Sequence, residues 1–574
     1  MTVDRQVVAH AMDQIVKHLE LQNENPFKIR AFRMGARTIG GLAGEPAQWL
    51  AEGTLAEVPG IGAAIQAVIR DLVQSGRSTM LDELREHVPP GLVEMLLISG
   101  LGVAKVRTIH ERLHLESIPE LEAAARDGRL AALPGFGAKT ADNVLRGIAR
   151  LRLATTARLI HHAADEAARL ETTLGQIPGV TAAIAAGEVR RGLELVSEMV
   201  IVLAATEPPQ QVLKAIAALP GVDEFGGQDE RRATIRFAGG QSAQVIVTPE
   251  ANLGAVLLQA TGSAEHLRQL VALAGTKGYT FRGAALWRGS EFVVTPDEAS
   301  VYRALGLPVI PPELREGLGE VDGALPSLIE RHHLQGLIHC HTSYSDGSFS
   351  VSDLGRVCGE AGYGYAGITD HSGTAAYVGG LSEADLRRQW DEIDRANEEP
   401  VGARLLKGIE ADIQPDGGLG YSDRLLEGFD FVIASVHNRF EMNRDQMTER
   451  ILTVMDHPAV TILGHLTGRL LLSREPYQLD HARIFSKAAA TGVAIEINAD
   501  PQRLDLDWRL VREAKLAGVT ISIGADAHSV AGLDNVQFGI TMARKGWLTA
   551  AEVLNARPVE GFLEFAAARR RPNG

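Results

Sequence analysis

From residue 335 onward, short apolar runs recur at the spacing of a strand–helix unit. They read GLIHCHT, YAGITDH, LLKGIEAD, FVIASVH, VTILGH, VAIEINA and VTISIGADAH, with helical patterns between most of them. Buried strands alternating with helices fold as a parallel sheet with the helices outside. Seven such units predict a parallel (β/α)7 barrel, one unit short of the usual eight. Each run ends in polar residues, which places them on the strand-end rim where barrel enzymes carry their chemistry.

Those ends are histidines and carboxylates. His339 and His341 lie two apart on one strand and so share a face, with Asp346 in the adjoining loop. Later strand ends add His371, Glu410, His437, His465, Asp526 and His528. Asp370 is a weaker candidate, suited to orienting a neighbour. Of the eight histidines in this region six end strands, and only His457 and His481 stand outside, so chance structural placement is a poor account of them. The chain has two cysteines, Cys340 and Cys358, which supply no disulfide framework and fit a reducing cytoplasm. Cys340 falls between two candidate ligands and points to the opposite face. Imidazole and carboxylate donors without a positioned thiol favour Mn, Zn or Fe over a cysteine-based structural site. So many donors exceed the needs of one ion, and with bridging they suit two or three divalent cations. Clustered cations of this kind suit in-line displacement at phosphorus. Arg469 and Arg474, just past His465, are candidates for phosphate contact. His341, His371, Asp526 and Arg469 are the residues expected to act in the chemistry.

HCHTSYSDGS, ITDHS, GIEADI, SVHN, GHLTGRLLL, EINAD and GADAHS, in this order, resemble the motifs of the polymerase and histidinol phosphatase (PHP) superfamily. The resemblance implies a distorted seven-stranded barrel, a trinuclear Mn or Zn centre and phosphoester hydrolysis. By position its ligands correspond to His339, His341, Asp346, His371, Glu410, His437, His465, Asp526 and His528.

The front of the chain differs. Residues 1–150 show helical periodicity throughout, with short Gly/Pro breaks. VPGIGAAIQAVI, SGLGVAKVRTIH and LPGFGAKTADNVL each set Gly-x-Gly between two helical patterns: Gly60 and Gly62, Gly100 and Gly102, Gly135 and Gly137. Such a turn offers the N–H groups of the next helix to a phosphate oxygen. Lys105, Arg107 and Lys139 add local positive charge, and Lys28, Arg30, Arg33 and Arg37 recur at near-helical spacing upstream. Contacts of this type hold a nucleic-acid backbone without reading its sequence. A formal net charge of −15 argues against indiscriminate polyanion binding, but residues 1–150 are nearly balanced, with 17 Lys+Arg against 18 Asp+Glu. The excess acid therefore lies downstream.

The three glycine segments resemble helix-hairpin-helix DNA-backbone motifs. NPFKIRAFRMGARTI, GEVRR, TGSAEH and LGLPVIPPELREGLGE resemble the N-terminal, palm and thumb segments of family X DNA polymerases. The whole chain is thus similar to the bacterial members of that family that carry a C-terminal PHP domain. The expected divisions are an N-terminal helical domain (1–80), a fingers-like helical domain (81–150), a palm (151–250), a thumb (251–318), a Pro/Gly-rich linker (319–334) and the barrel (335–574).

The palm departs from its family. That family reads approximately Gly-Ser-x-Arg-Arg followed by Asp-x-Asp, with a third Asp on a later strand, and two-metal nucleotidyl transfer needs those carboxylates. Here Gly187, Glu188, Arg190 and Arg191 are followed by Glu198, Met199 and Val200, and Ala243 aligns with the third Asp. Nucleotidyl transfer is expected to be lost. Lyase chemistry needs a lysine amine, and Ala64 and Val68 stand where the family usually carries lysines. The expected activity is a Mn-dependent 3′→5′ exonuclease with possible abasic-site cleavage. It would act without sequence preference on gapped, single-stranded or 3′-ended DNA, as a cytoplasmic, nucleoid-associated monomer with no membrane span. An active gap-filling polymerase and a phosphatase of the histidinol phosphate type are the alternatives.

Overall fold

A computed structural model describes residues 5–41, 46–58, 61–98, 100–238, 240–373, 380–398 and 402–570. The chain forms two compact units, Met1–Thr156 and Ala157–Gly574. The first is helical. Its helices bury two apolar clusters, one around Met12, Ile15, Ile65 and Ile69, the other around Met95, Val106, Ile109 and Val144.

In the second unit, after helix Ile160–Gly175, comes a five-stranded mixed sheet: β1 (Val180–Ala186), β2 (Val200–Ala205), β3 (Val222–Gly227), β4 (Arg232–Phe237) and β5 (Ser242–Pro249), in the order β1-β2-β5-β4-β3. β2 is buried along its whole length, as its run of apolar residues requires. The thumb-like part follows, with a three-stranded antiparallel sheet of β6 (Tyr279–Arg282), β7 (Ala285–Arg288) and β8 (Glu291–Val293) packed with helices around Leu258, Leu270, Leu286 and Tyr302.

Both arginines of the GEVRR segment join these two parts. Arg190 makes a bidentate pair with Glu298 (2.8 Å on each arm), and Arg191 pairs with Glu316 at 3.2 Å. Residues 319–334, expected to be a linker, are instead a packed connection. Val321 and Leu328 join the thumb core, Ile329 joins the barrel core, and Glu320 is buried against His266 at 2.7 Å. The Pro/Gly content leaves only a short 3-10 turn (Arg331–His333), but the apolar residues between still find a core.

The barrel strands are β9 (Gly336–Cys340), β10 (Tyr365–Ile368), β11 (Arg404–Lys407), β12 (Glu410–Asp412), β13 (Val432–Ser435), β14 (Val460–Leu463), β15 (Ala494–Asn498) and β16 (Ile521–Ala527). They form one parallel sheet in the order β11-β10-β9-β16-β15-β14-β13-β12. The two end strands are halves of one segment, parted only by Gly408 and Ile409. That segment bonds to both sides: Arg404 N–H to Gly364 O and Glu410 N–H to Asp370 O on one, Asp430 N–H to Lys407 O and Ile433 N–H to Ile409 O on the other. The sheet therefore curls into a ring of seven strand positions. Side chains near the strand starts, including Ile338, Tyr365, Phe431 and Ala494, pack with Phe562 and Ala566 of helix Val559–Arg570, which stoppers the end away from the polar rim. No helix among the described residues is long and apolar enough to cross a membrane.

Candidate metal centre

Three cluster residues at or just past strand ends have left-handed backbone: His339 (φ 61°), His465 (φ 24°) and Asp526 (φ 49°). Non-glycine residues adopt this region at a cost of about 1–3 kcal/mol each, and they persist there only when their surroundings fix them. At His339 the ladders to β10 and β16 both shift register, so a bulge at the strand end re-aims the imidazole.

Glu410 is the hub. Its carboxylate lies 2.9 Å from His371 Nδ1, 2.9 Å from His465 Nε2, 3.2 Å from His437 Nε2, 3.5 Å from His339 Nε2 and 3.9 Å from His341 Nε2. Asp526 stands 3.2 Å from His341 Nε2 and 3.5 Å from His339 Nε2. Asp346 reaches His341, His371 and His528 at 3.7, 3.6 and 3.4 Å. The structure thus brings all nine sequence-selected residues to one rim. Eight of the nine place donor atoms in three groups, each within 4.8 Å: His341, Asp346, His371 and His528; His339, His341 and Asp526; and His371, Glu410 and His437; His465 joins them through Glu410 at 2.9 Å.

The donor chemistry fits cations. His339 Nε2 and both ring nitrogens of His341 are buried and find no hydrogen-bond partner, although carboxylates surround them. Orphaned buried nitrogens are costly unless something fills the space between. Burial holds His341 and His465 below the ordinary imidazole range, hence neutral with lone pairs available. Glu410 and Asp526 are held well below the carboxylate range: burial opposes this, but His437 and His339 beside Glu410, and His339 and His341 beside Asp526, outweigh it.

Outer partners fix the rings. Glu496 meets His339 Nδ1 at 2.5 Å, Asp412 meets His437 Nδ1 at 2.5 Å, and the Asp526 carbonyl lies 2.9 Å from His528 Nδ1. Asp370 accepts from Thr342 N–H (2.7 Å) and Gln389 Nε2 (2.6 Å), holding the loop after His341. Glu496 and Asp412 were not singled out from sequence. A carboxylate embedded in an apolar strand, as in AIEIN or IEADI, is the signal that would have found them.

The arginines divide differently from expectation. Arg469 directs Nε to Arg503 O (2.9 Å), Nη1 to Asp507 (2.8 Å) and Nη2 to Leu504 O, so its guanidinium is committed to the scaffold. Arg474 lies over the Phe440 ring, 4.1 Å from its centroid, and donates to Gly468 O. Arg503, not singled out from sequence, stands beside the cluster instead, with Nε 3.5 Å from Asp526 and the side chain 19% exposed.

In the helical unit, Gly62 and Gly102 cap helices Ala63–Ser75 and Val103–Leu113, and Gly137 directly precedes helix Ala138–Thr156. Gly100 and Gly135 have φ of 85° and 81°, which the turns require. A Cβ on any of these five would meet nothing within 4 Å, so the turn surfaces are open to a ligand. Gly60 lies outside the described residues. Lys105 folds back onto Gly100 O at 2.9 Å, and Lys139 is exposed. Lys28 and Arg33 pair with Glu24 and Glu20, and Arg30 is exposed.

In the palm a cleft of about 430 Å³ is lined by Gly187, Glu188, Glu198, Val200 and Gln244 among others. β2 and β5 register Val200 opposite Gln244, while Ala243 is buried in the core behind. The residue facing the cleft at the third carboxylate position is therefore Gln244, not Ala243, a correction that follows from alternation along a strand. Glu188 Oε2 accepts from Ser197 N–H (2.6 Å) and Glu198 N–H (3.2 Å), so its charge caps a turn.

Residues 338–500 match the PHP domain model, 256–316 the DNA polymerase beta thumb, 4–78 a helix-hairpin-helix domain and 92–150 a SAM-like helix-hairpin-helix tandem. The DNA polymerase/3′-5′ exonuclease PolX of Bacillus subtilis is 33% identical over 567 residues, covering 97% of this chain and 99% of the relative. A probable phosphatase of Syntrophotalea carbinolica is 24% identical over 240 residues, 40% of this chain and 94% of its own length. DNA polymerase lambda of Rattus norvegicus is 25% identical over 290 residues, 45% of this chain and 48% of its own. With hairpin domains, thumb and PHP barrel in one order, and a relative matched from end to end, the chain belongs to the bacterial family X DNA polymerases that carry a C-terminal PHP domain.

Proposed function

We propose that this chain works as a metal-dependent 3′→5′ exonuclease in DNA repair through its barrel rim, with nucleotidyl transfer lost. The observation that carries the reading is the convergence of these donors on one rim, eight grouped within 4.8 Å and His465 joined through Glu410, set against a palm cleft whose ligand positions hold Glu198, Val200 and Gln244. His339, His341, Asp346, His371, Glu410, His437, His465, Asp526 and His528 would hold two or three divalent cations, Mn foremost, with Zn or Fe as alternatives. Bound there, the cations supply an activated water and charge stabilisation at phosphorus.

The protein's own part is placement. Glu496 and Asp412 fix the ring orientations of His339 and His437, and Asp370 fixes the loop after His341. Arg503, at the mouth beside Asp526, would donate to a non-bridging phosphate oxygen. Arg469 holds the backbone that carries Arg503. The open hairpin glycines would grip the DNA backbone without regard to sequence. Gapped, single-stranded and abasic DNA are the substrates this suits, with the chain acting as a cytoplasmic, nucleoid-associated monomer.

The test uses 5′-labelled single-stranded, gapped and abasic DNA with Mn. Wild type should shorten the labelled strands, His341→Ala and Asp526→Ala should not, and all three should bind DNA alike. Cleavage that persists in both variants would remove the site assignment. Likeness to a probable phosphatase favours a second reading as a monoester phosphatase. Strong monoester turnover with DNA left intact would establish it.

A further inference from the structure

Glu194 belongs to the palm, three residues past the GEVRR helix, yet its side chain is buried against the barrel. Its Oε1 lies 3.0 Å from Arg509 Nη1 and 3.7 Å from Arg469 Nη1, and its Oε2 is buried without a hydrogen-bond partner. Arg469 in turn carries the carbonyls of Arg503 and Leu504, and Arg503 leads to Asp526 at the cluster. Asp505, in the same turn, accepts Thr467 N–H at 2.9 Å, tying it to the segment that begins at His465. A palm carboxylate therefore connects through one guanidinium to the backbone beneath the arginine at the rim.

The fold fixes this carboxylate from behind. Lys545 of the barrel, with no side-chain exposure, bonds Glu316 at 2.7 Å and the Arg191 carbonyl at 3.1 Å. Arg544 pairs with Glu313 at 2.7 Å. The segment bearing Glu194 is thus seated on the barrel independently of Glu194 itself. A buried carboxylate shared by two arginines, with one oxygen left over, contributes little to stability for its desolvation cost. Its geometry suits placement of the groups it holds.

We propose that Glu194 is a positioning residue for the barrel site: through Arg469 it sets the 503–505 turn, and so the reach of Arg503 to the DNA phosphate. This rests on the exonuclease reading above. The palm would then serve the nuclease as a strut whether or not it retains nucleotidyl transfer.

In the full-length chain loaded with Mn, Glu194→Gln should raise KM for single-stranded DNA by about threefold to thirtyfold, with kcat at saturating DNA little changed. Metal content should match wild type. In an Arg503→Ala background the same substitution should add nothing, because the strut acts through that guanidinium. Glu313→Gln, which breaks a different pair at the same junction, should lower the melting temperature and leave KM alone. Should Glu194→Gln not fold, Glu194→Asp, which keeps the charge but withdraws it, carries the same test with a smaller rise. Effects of Glu194 and Arg503 that multiply, or a Glu313→Gln rise in KM equal to that of Glu194→Gln, would overturn the strut. A wild-type chain that degrades no DNA removes the nuclease reading and the strut with it. An active wild type beside Glu194→Gln at unchanged KM removes the strut alone.

Discussion

The barrel rim and the palm cleft share one compact unit, and both present acidic side chains to an open face, but they dispose of that charge in opposite ways. At the rim, Glu410 alone faces five imidazoles, and buried ring nitrogens of His339 and His341 are left without partners. In the cleft, the Glu188 carboxylate is satisfied by the backbone N–H groups of Ser197 and Glu198, and Glu198 is the one other carboxylate on its lining, beside Val200 and Gln244. A site built for cations keeps its donors aimed and unsatisfied until the ions arrive. A cleft whose carboxylates are bound by backbone, or replaced by neutral residues, offers fewer free donors to an ion. The comparison teaches that counting acidic residues in a cleft is a weaker test than asking what already satisfies them.

The largest effect that could break this contrast lies at the rim. His341→Ala and Asp526→Ala should each reduce exonuclease turnover by about 10²- to 10³-fold or more, read as loss of product from 5′-labelled DNA. Next come the orienting carboxylates. Glu496→Gln and Asp412→Asn should weaken metal affinity or turnover by about 10- to 100-fold, with metal titration as the check.

The pH dependence sharpens the point further. Burial pulls His371 and His437 down, but carboxylates outweigh it in the cation-free chain. Asp346 and Glu410 push His371 up to about 10, and Glu410 and Asp412 push His437 up to about 9. The stability these protons give the cation-free chain is complete below the ordinary value of 6.5 and fades as pH rises toward those raised values. Cations need the neutral rings, so metal uptake should release protons and tighten with rising pH. Calorimetry in buffers of different ionisation enthalpy should register that release, and identical heats would contradict it.

In the palm, Glu198→Gln should leave the exonuclease unchanged, and extension of a gapped primer should stay at background before and after. Extension that is present and then lost on this change would return the palm to the polymerases. The smallest effect belongs to the hairpins. Lys139→Ala should weaken DNA binding evenly across sequences and lower the slope of log affinity on log salt by about one.

Most of the rim was legible in the sequence because strand-end histidines and carboxylates recur in phase with the barrel repeat. Seven strands were legible for the same reason, although Gly408 and Ile409 split one of them into two short ladders. What escaped depends on contacts between distant segments. Arg503 sits alone in a loop with no pattern around it. Arg469 looked free because its acceptors, the carbonyls of residues 503 and 504, lie far along the chain. Ala243 and Gln244 differ by one position, and only the pairing of β2 with β5 decides which faces the cleft. Residues 319–334 carried the composition of a linker, but Val321, Leu328 and Ile329 had cores within reach.

The most direct measurement is anomalous diffraction from crystals of the full-length chain grown with Mn. The account predicts two or three peaks lying between Glu410, Asp346 and Asp526, with the six histidines turned toward them. Diverging side chains with no peak at the rim, or ions held in the palm cleft instead, would contradict it.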